Sequence, residues 1–419
     1  MQKIRNSIDN INSYLLMLVA FFLPLTVFGG NLFAVLIFLL WIIKADFKSD
    51  FHRLKNNALV IAVLLYLLVH VVALLWTADM QFGLYTLRKQ LKFLFIPIFM
   101  LFVKREHVKY YILAFLASMS LSEIWSYGIW FELLPLYGGA TLEDPIPLMS
   151  HITYTPFLTI ATYLLLYYFL FDPSIGKLKK TTYAFFILTI STNVFINGGR
   201  AGQVMFFAMI VITIFQYFPR KALKAAIISL IILFATFSTA YTISEIFKHR
   251  VDLAISQFTN YSEFLKSTPA PGKEFVGSSV GERMVFAVSS WEIFKEHPIF
   301  GVGTGDFKNE FAKKLSINAP YVEIVENPHN MYSLILAQFG LIGLAALLYM
   351  FYTQVKIAKH SNEEFVRKIG IALPLLYLLI MLSDSYLMVH MTGLLFIFIS
   401  SFVYKDYEMD KQYRLKTTE

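Results

Sequence analysis

Apolar stretches recur along the whole chain and are cut by short polar breaks. A bilayer core of about 30 Å is crossed by roughly 20 apolar residues, since each helical residue rises ~1.5 Å. On that criterion the pattern predicts about twelve membrane helices, several of them short or closely paired. They fall near residues 14–28, 32–43, 59–76, 90–103, 109–131, 153–171, 182–196, 201–218, 223–243, 329–352, 370–388 and 390–404. The first two and the last two are joined by almost nothing. The opening "MQKIRNSIDNINSYLLMLVAFFLPLTVFGG" has the basic and apolar regions of a signal peptide. No small-x-small cleavage site follows it, so an uncleaved first helix is expected. The expected organisation is helices one to nine over 1–243, a long outer loop over 244–328, the last three helices over 329–404, and a tail over 405–419. This is an all-α polytopic membrane protein.

Composition agrees: 57% of residues are hydrophobic, 15% charged, and mean hydropathy is +0.60. The formal net charge of +8 looks at first like a nucleic-acid signal, but its distribution rules out that partner. Together the N-terminal arm, alternate loops and the tail hold 23 of the 36 basic residues. The positive-inside rule makes that side cytoplasmic, with both termini on it. The other 13 are Arg88, Lys89, Lys92, Arg200 and nine in the long loop. With no cysteine in the chain, a disulfide framework, a thiol nucleophile and a thiolate metal site are all excluded.

Two short outer loops therefore break the charge rule, "LRKQLKF" before the fourth helix and "GGRAG" before the eighth. Basic side chains at helix ends can snorkel to headgroups. Arg200, in a tight Gly-Gly turn, fits that explanation less well than Lys92. Two exceptions on one face suggest an external anion, which Arg200 would face.

In the long loop, Ser279 and Glu282 have the spacing of a capping box. Met284, Ala287, Val288, Trp291 and Phe294 follow at helical spacing, and Pro298 closes the segment. An amphipathic helix is expected, lying on the membrane or packed on the spans. Arg283 falls in its first turn, where the helix dipole disfavours a cation; pairing with Glu282 is the plain explanation and anion binding the functional one. "GVGTGDF" follows no strand, so it reads as a turn and not a phosphate loop.

"ENPHNMYSLILAQFG" is more informative. Asn327 is expected to cap the tenth helix, Pro328 to take its first position, and His329 to sit in its first turn. A helix N-terminus favours neutral imidazole, the form a general base for a hydroxyl needs. Asp384, near the outer end of the eleventh helix, and Asn330 are supporting candidates; pairing with an arginine is the plain explanation for Asp384. His70 is expected to be hydrogen-bonded within the bundle, and Glu143 and Asp144 to form a solvated outer turn. No carboxylate cluster has metal-ligand spacing.

The run "RMVFAVSSWEIFKEHPIFGVGTGDF" followed by "HNMYSLILAQFGLIGL" resembles the signature region of the O-antigen ligase/polymerase superfamily. The resemblance is strongest over residues 197–346. It implies a bacterial inner-membrane glycosyltransferase of the GT-C type with a periplasmic active site, inverting and metal-independent, with no cofactor. Its essential histidine corresponds to His329 and its two essential arginines to Arg200 and Arg283; Arg88 and Lys89 match its basic outer loop loosely. The implied donor is an undecaprenyl-diphosphate-linked glycan. Ligation of O-antigen onto lipid A–core oligosaccharide is the favoured reaction, and chain polymerisation is the alternative. Transfer to protein is less expected, because protein-transferring relatives carry a longer C-terminal region. From a different class, a lipid-linked glycan flippase stays open, although transporters place polar groups at the midplane rather than at one face.

Overall fold

The computed structural model describes residues 2–259, 279–320 and 322–418. Among these residues all regular structure is helical. In chain order the α-helices are α1 (Gln2–Phe22), α2 (Val27–Lys44), α3 (Phe47–Leu54), α4 (Ala58–Val72), α5 (Met80–Gln90), α6 (Phe95–Phe102), α7 (Val108–Trp130), α8 (His151–Phe171) and α9 (Lys177–Ile196). They continue with α10 (Arg200–Tyr217), α11 (Ala222–Ile243), α12 (Glu245–Thr259), α13 (Ser279–Glu296), α14 (Phe307–Asn318), α15 (Met331–His360), α16 (Glu364–Ile380), α17 (His390–Val403) and α18 (Tyr407–Thr418).

A helix stands at each of the twelve expected positions. Among the described residues seven are long and apolar enough to cross a membrane: α2, α4 with its short 3₁₀ extension, α7, α8, α10, α11 and α15. The other five fall short for visible reasons. Lys3, Arg5 and Asp9 lie within α1, and three lysines open α9. The eight-residue α6, the 17-residue α16 and the 14-residue α17 are short.

Two boundaries need correction. The first helix begins at Gln2 rather than near residue 14, because its polar start is held by ion pairs. Arg5 meets Asp46 at 3.1 Å and Lys44 meets Asp9 at 3.0 Å. The fourth expected helix, 90–103, is three pieces: the end of α5, a 3₁₀ turn over Leu91–Leu94, and α6. Arg88 and Lys89 therefore occupy the last turn of a helix instead of a loop.

The core runs through α8 and α17, whose side chains are mostly buried. The hairpin of α1 and α2 packs on α7, α8 packs on α9 and α10, and α15 packs on α4 and α16. Hydrogen bonds fix which helix ends lie together. Tyr163 in α8 and Gln216 in α10 both donate to the Lys368 carbonyl in α16, at 3.0 Å each. These bonds join the far end of α10 and the second half of α8 to the start of α16, so Arg200, at the start of α10, lies at the same end as the close of α16. Met331 at the start of α15 donates to the Met381 carbonyl at 2.9 Å. Lys92 donates to the carbonyls of Met388 and Val389 at 3.0 and 3.2 Å. Arg88, Lys89, Arg200, His329, Asn330 and Asp384 therefore gather at one end of the bundle.

The segment over 298–306 is tied into that end by a device the sequence did not signal. α15 breaks at Gly340, which has φ 60° and ψ −153°. The chain over 298–303 fills the break: Leu341 N–H donates to the Pro298 carbonyl at 2.9 Å, and Val302 N–H to the Ala337 carbonyl at 3.0 Å. A broken helix is tolerated at membrane depth only where its loosened backbone groups find protein partners. "GVGTGDF" is thus a turn, as expected, and also the plug of a broken helix. It reaches further, since the Asp306 carboxylate accepts the N–H groups of Ala78 and Asp79 at 2.6 and 2.9 Å. That contact holds the start of α5.

α13 forms as expected and packs on α15 and α14. Ser279 opens it, but the Ser279 side chain lies outside the described residues. The buried stripe differs from the one expected: Val285, Phe286, Ser289, Ser290 and Ile293 face inward, while Val288 and Trp291 are exposed. The helix is apolar around most of its circumference, so periodicity could not choose the face.

Candidate functional site

His329 lies in the turn that leads into α15. The helix is capped by Asn330, whose Oδ1 accepts the N–H groups of Tyr332 and Ser333 at 3.0 Å each. Its amide also donates to the Leu382 carbonyl at 2.9 Å. Asn327 is not the cap, and His329 is not in the first turn. Instead His329 stands just outside the helix with φ 51°, a left-handed conformation that is uncommon for a side-chain-bearing residue. Such a residue costs on the order of 1–2 kcal/mol and persists only where its surroundings hold it. Asn327 does so by accepting the His329 N–H on its Oδ1 at 3.1 Å.

The imidazole is held as firmly as the backbone. His329 Nδ1 lies 3.1 Å from Asp384 Oδ2, and the Asp384 side chain is almost fully buried while that of His329 is 38% exposed. Asp384 also accepts from Asn327 Nδ2 at 3.3 Å and from the Ser385 N–H at 2.6 Å. The Ser385 hydroxyl closes the network by donating to Asn327 Oδ1 at 2.8 Å. An ionised carboxylate can only accept, so neutral His329 carries its proton on Nδ1 and keeps its lone pair on Nε2. The pair is therefore built to accept a proton at Nε2 and to stabilise the resulting imidazolium. Asp384 lies beyond the end of α16, and its partner is a histidine rather than the arginine the sequence suggested.

Phe286 of α13 stacks on His329, ring centroids 6.1 Å apart. Arg283 is half-buried one turn earlier on the same helix. Burial pushes the Tyr386 hydroxyl up, the Asp384 carboxylate adds to that, and the Arg283 guanidinium opposes it, so Arg283 is within electrostatic reach of the same cluster. On the other flank are the α5 cations. Arg88 and Lys89 are exposed and lie over the Tyr85 ring, at 5.6 and 4.1 Å from its centroid. Lys92, bonded to the Met388 and Val389 carbonyls, links them to the turn that carries Asp384.

Arg200 belongs to a second cluster at the same end. It opens α10 and is half-buried. The turn before it lies flush on α8: a Cβ on Gly199 would come within 2.6 Å of the His151 carbonyl oxygen, and one on Gly202 within 2.4 Å of Thr155. The Asp144 carboxylate clasps this turn, accepting the Gly198 N–H at 2.6 Å and lying 2.7 Å from His151 Nδ1. Glu143 is exposed as a solvated turn predicts, but Asp144 is a structural anchor. Sequence reasoning missed it because its partners are 7 and 54 positions away.

Below the Arg200 turn lies a buried polar patch that sequence reasoning also missed. Glu123 is 2% exposed and accepts from Thr189 Oγ1 at 2.9 Å. The signal was available, since Glu123 is the lone acid of the expected helix 109–131 and an acid within a span is a functional candidate by default. His70 is buried and lies 2.9 Å from the Tyr66 carbonyl, as expected. His390 opens α17 and contacts Asn31 Oδ1 at 2.8 Å, away from the His329 network.

With this geometry in place, comparison with known families is specific. Residues 184–348 match the family model described as O-antigen ligase. The matched segment contains Arg200, Arg283 and His329, and leaves out α5 and Asp384. No curated protein sequence matches the chain. Over those residues the chain is similar to O-antigen ligases, which supports a place in the O-antigen ligase/polymerase superfamily, and its apolar helices indicate a multi-pass membrane protein.

Proposed function

We propose that this protein transfers an undecaprenyl-diphosphate-linked O-polysaccharide onto lipid A–core oligosaccharide at the periplasmic face of the bacterial inner membrane. The observation that carries the reading is the His329–Asp384 pair, a base of fixed tautomer on an exposed side chain. His329 Nε2 takes the proton of the acceptor hydroxyl as its oxygen bonds to the anomeric carbon. The bond from that carbon to the diphosphate oxygen breaks, and the electron pair leaves with undecaprenyl diphosphate. A single displacement inverts the anomeric centre. Negative charge grows on the departing diphosphate, and stabilising such charge is usually the largest catalytic term. Arg200 and Arg283 supply permanent bidentate donors for it, with Arg88 and Lys89 on the approach. Asp384 holds the imidazole, and Asn330 holds the helix start behind it. Both termini lie in the cytoplasm, and the reading needs no metal and no nucleotide.

The test is transfer by purified protein in nanodiscs, given lipid-linked glycan and lipopolysaccharide lacking O-antigen. Glycan on lipid A–core identifies the ligase; a longer glycan on the lipid carrier would identify a polymerase instead. Arg200→Lys is expected to fail nearly as badly as Arg200→Ala, because a point charge does not reproduce a fork. His329→Gln is expected to bind donor normally and lose transfer by roughly 10²-fold or more. Near-wild-type transfer by both Arg200→Lys and His329→Gln overturns the site.

A further inference from the structure

Three helices meet below the Arg200 turn, and each brings polar side chains to the contact. α7 carries Ser122, Glu123 and Ser126, with Ser126 one turn on from the other two. Tyr154 comes from α8, and Asn193 and Asn197 from the end of α9. Asn193 Nδ2 donates to Ser126 Oγ at 3.0 Å. The Asn197 amide donates to the Asn193 carbonyl and Oδ1 at 2.8 and 3.0 Å, so its NH₂ is spent and its oxygen is left over. The Tyr154 hydroxyl stands beside those of Ser122 and Ser126 and within reach of the Glu123 carboxylate. Glu123 accepts from Thr189 on one carboxylate oxygen only. Four oxygens here have no hydrogen-bond partner: Ser122 Oγ, Glu123 Oε2, Tyr154 Oη and Asn197 Oδ1. None of the four residues is more than 2% exposed. From Glu123 to the close of α7 at Trp130 the helix rises about 10 Å, so the carboxyl lies well inside the span.

Buried polar atoms are nearly always paired, so four orphans gathered in one contact call for a common partner. We propose that the patch binds one monovalent alkali cation, coordinated by these four oxygens with Ser126 Oγ as a fifth. All are oxygens, the ligands a hard cation takes. One carboxylate balances one positive charge, and among the described residues no cluster of three or more acids and histidines supports a more highly charged ion. Water alone would satisfy the hydroxyls and leave a buried carboxylate with no counter-charge, since no cation acts on Glu123. Protonating Glu123 removes the charge but creates a donor with no acceptor in hydrogen-bonding position. A bound cation answers both. Asn197 leads into Gly198, whose N–H Asp144 holds, so the ion braces the Arg200 turn from beneath. It takes no part in the displacement, and the site stands whether or not the transferase reading does.

The probes are Na⁺ and K⁺ on full-length protein in nanodiscs, with choline at equal ionic strength as the control. Wild-type protein is expected to melt about 2–4 °C higher in one of the two than in choline. A hydrophobic carbodiimide, which attacks buried carboxyl groups, should modify Glu123 roughly ten-fold more slowly once that ion is at about ten times its Kd, read by peptide mass spectrometry. Hydrogen exchange over residues 195–203 should slow in the same ion. Glu123→Gln keeps the shape and loses the charge, and is expected to lose the thermal response. Tyr154→Phe keeps the ring and removes one ligand, and should need roughly ten-fold more of the ion for the same shift. His329→Ala keeps the full response, so loss of the ion and loss of transfer are read separately. Equal midpoints and equal carbodiimide rates in all three salts overturn the site and leave the patch to water. A thermal response of unchanged size in Glu123→Gln overturns it too, as does equal protection by Mg²⁺ at matched ionic strength. Unchanged exchange over 195–203 overturns the brace on the Arg200 turn.

Discussion

At the scale of single residues, the site depends on how His329 is held rather than on its being a histidine. Its backbone is left-handed, its N–H is taken by Asn327, and its Nδ1 faces an acid almost fully buried. Asp384→Asn is the discriminating variant. An amide that turns its NH₂ toward Nδ1 forces the proton onto Nε2 and removes the lone pair that accepts the acceptor's proton. Transfer is expected to fall by about 10²–10⁴-fold, in kcat, with donor affinity unchanged. Equal losses in kcat and donor affinity would instead mark Asp384 as a prop for the fold, read by steady-state kinetics alongside donor binding. His329 and Arg200 could be picked from the sequence because each breaks a rule that a lipid-facing residue obeys. Asp384 could be noticed but not paired, since its contact with His329 spans 55 positions and nothing local encodes it.

At the scale of elements, the break in α15 and the 298–306 loop form one unit. A Cβ at Gly340 would lie 2.4 Å from the Ile299 carbonyl carbon, in a backbone conformation open only to glycine. Gly340→Ala is expected to cost roughly 1–3 kcal/mol from the backbone alone, before any clash. It should lower the thermal midpoint in detergent, whereas Gly176→Ala, with nothing within 4 Å, should not. Equal midpoints would mean that the loop does not fill the break. Asp306→Ala removes the acceptor for two backbone N–H groups and releases the start of α5. Its effect should appear as weaker donor binding through Arg88 and Lys89, with Asp306→Asn intermediate because one acceptor oxygen remains. The helical periods of these elements were legible, and so was α13. The face α13 buries was not, because a helix apolar on several sides takes its orientation from its neighbours. The plug was hidden for a related reason: its bonds join backbone groups, which carry no side-chain signature.

At the scale of the whole molecule, the arrangement favours the enzyme reading over a carrier. A carrier needs polar groups and broken backbone around a central site that opens to either side in turn. Here the break at Gly340 is filled by the chain's own loop, and the His329, Arg283, α5 and Arg200 groups sit at one end of the bundle. That end was legible from the charge pattern, because basic residues collect on alternate loops and the exceptions collect opposite them. The pattern also predicts an orientation that labelling can check. The chain has no cysteine, so single cysteines report their own exposure without background. Lys179 lies in the exposed start of α9, on the side the positive-inside rule makes cytoplasmic. Lys313 is exposed in α14, in the segment expected to be periplasmic, at the end that holds His329. In intact spheroplasts an impermeant maleimide should label Lys313→Cys and spare Lys179→Cys until the membrane is opened. Labelling of Lys179→Cys in intact cells would reverse the orientation. It would also put His329 on the face opposite the lipid-linked glycan, so the proposed reaction would fall with it.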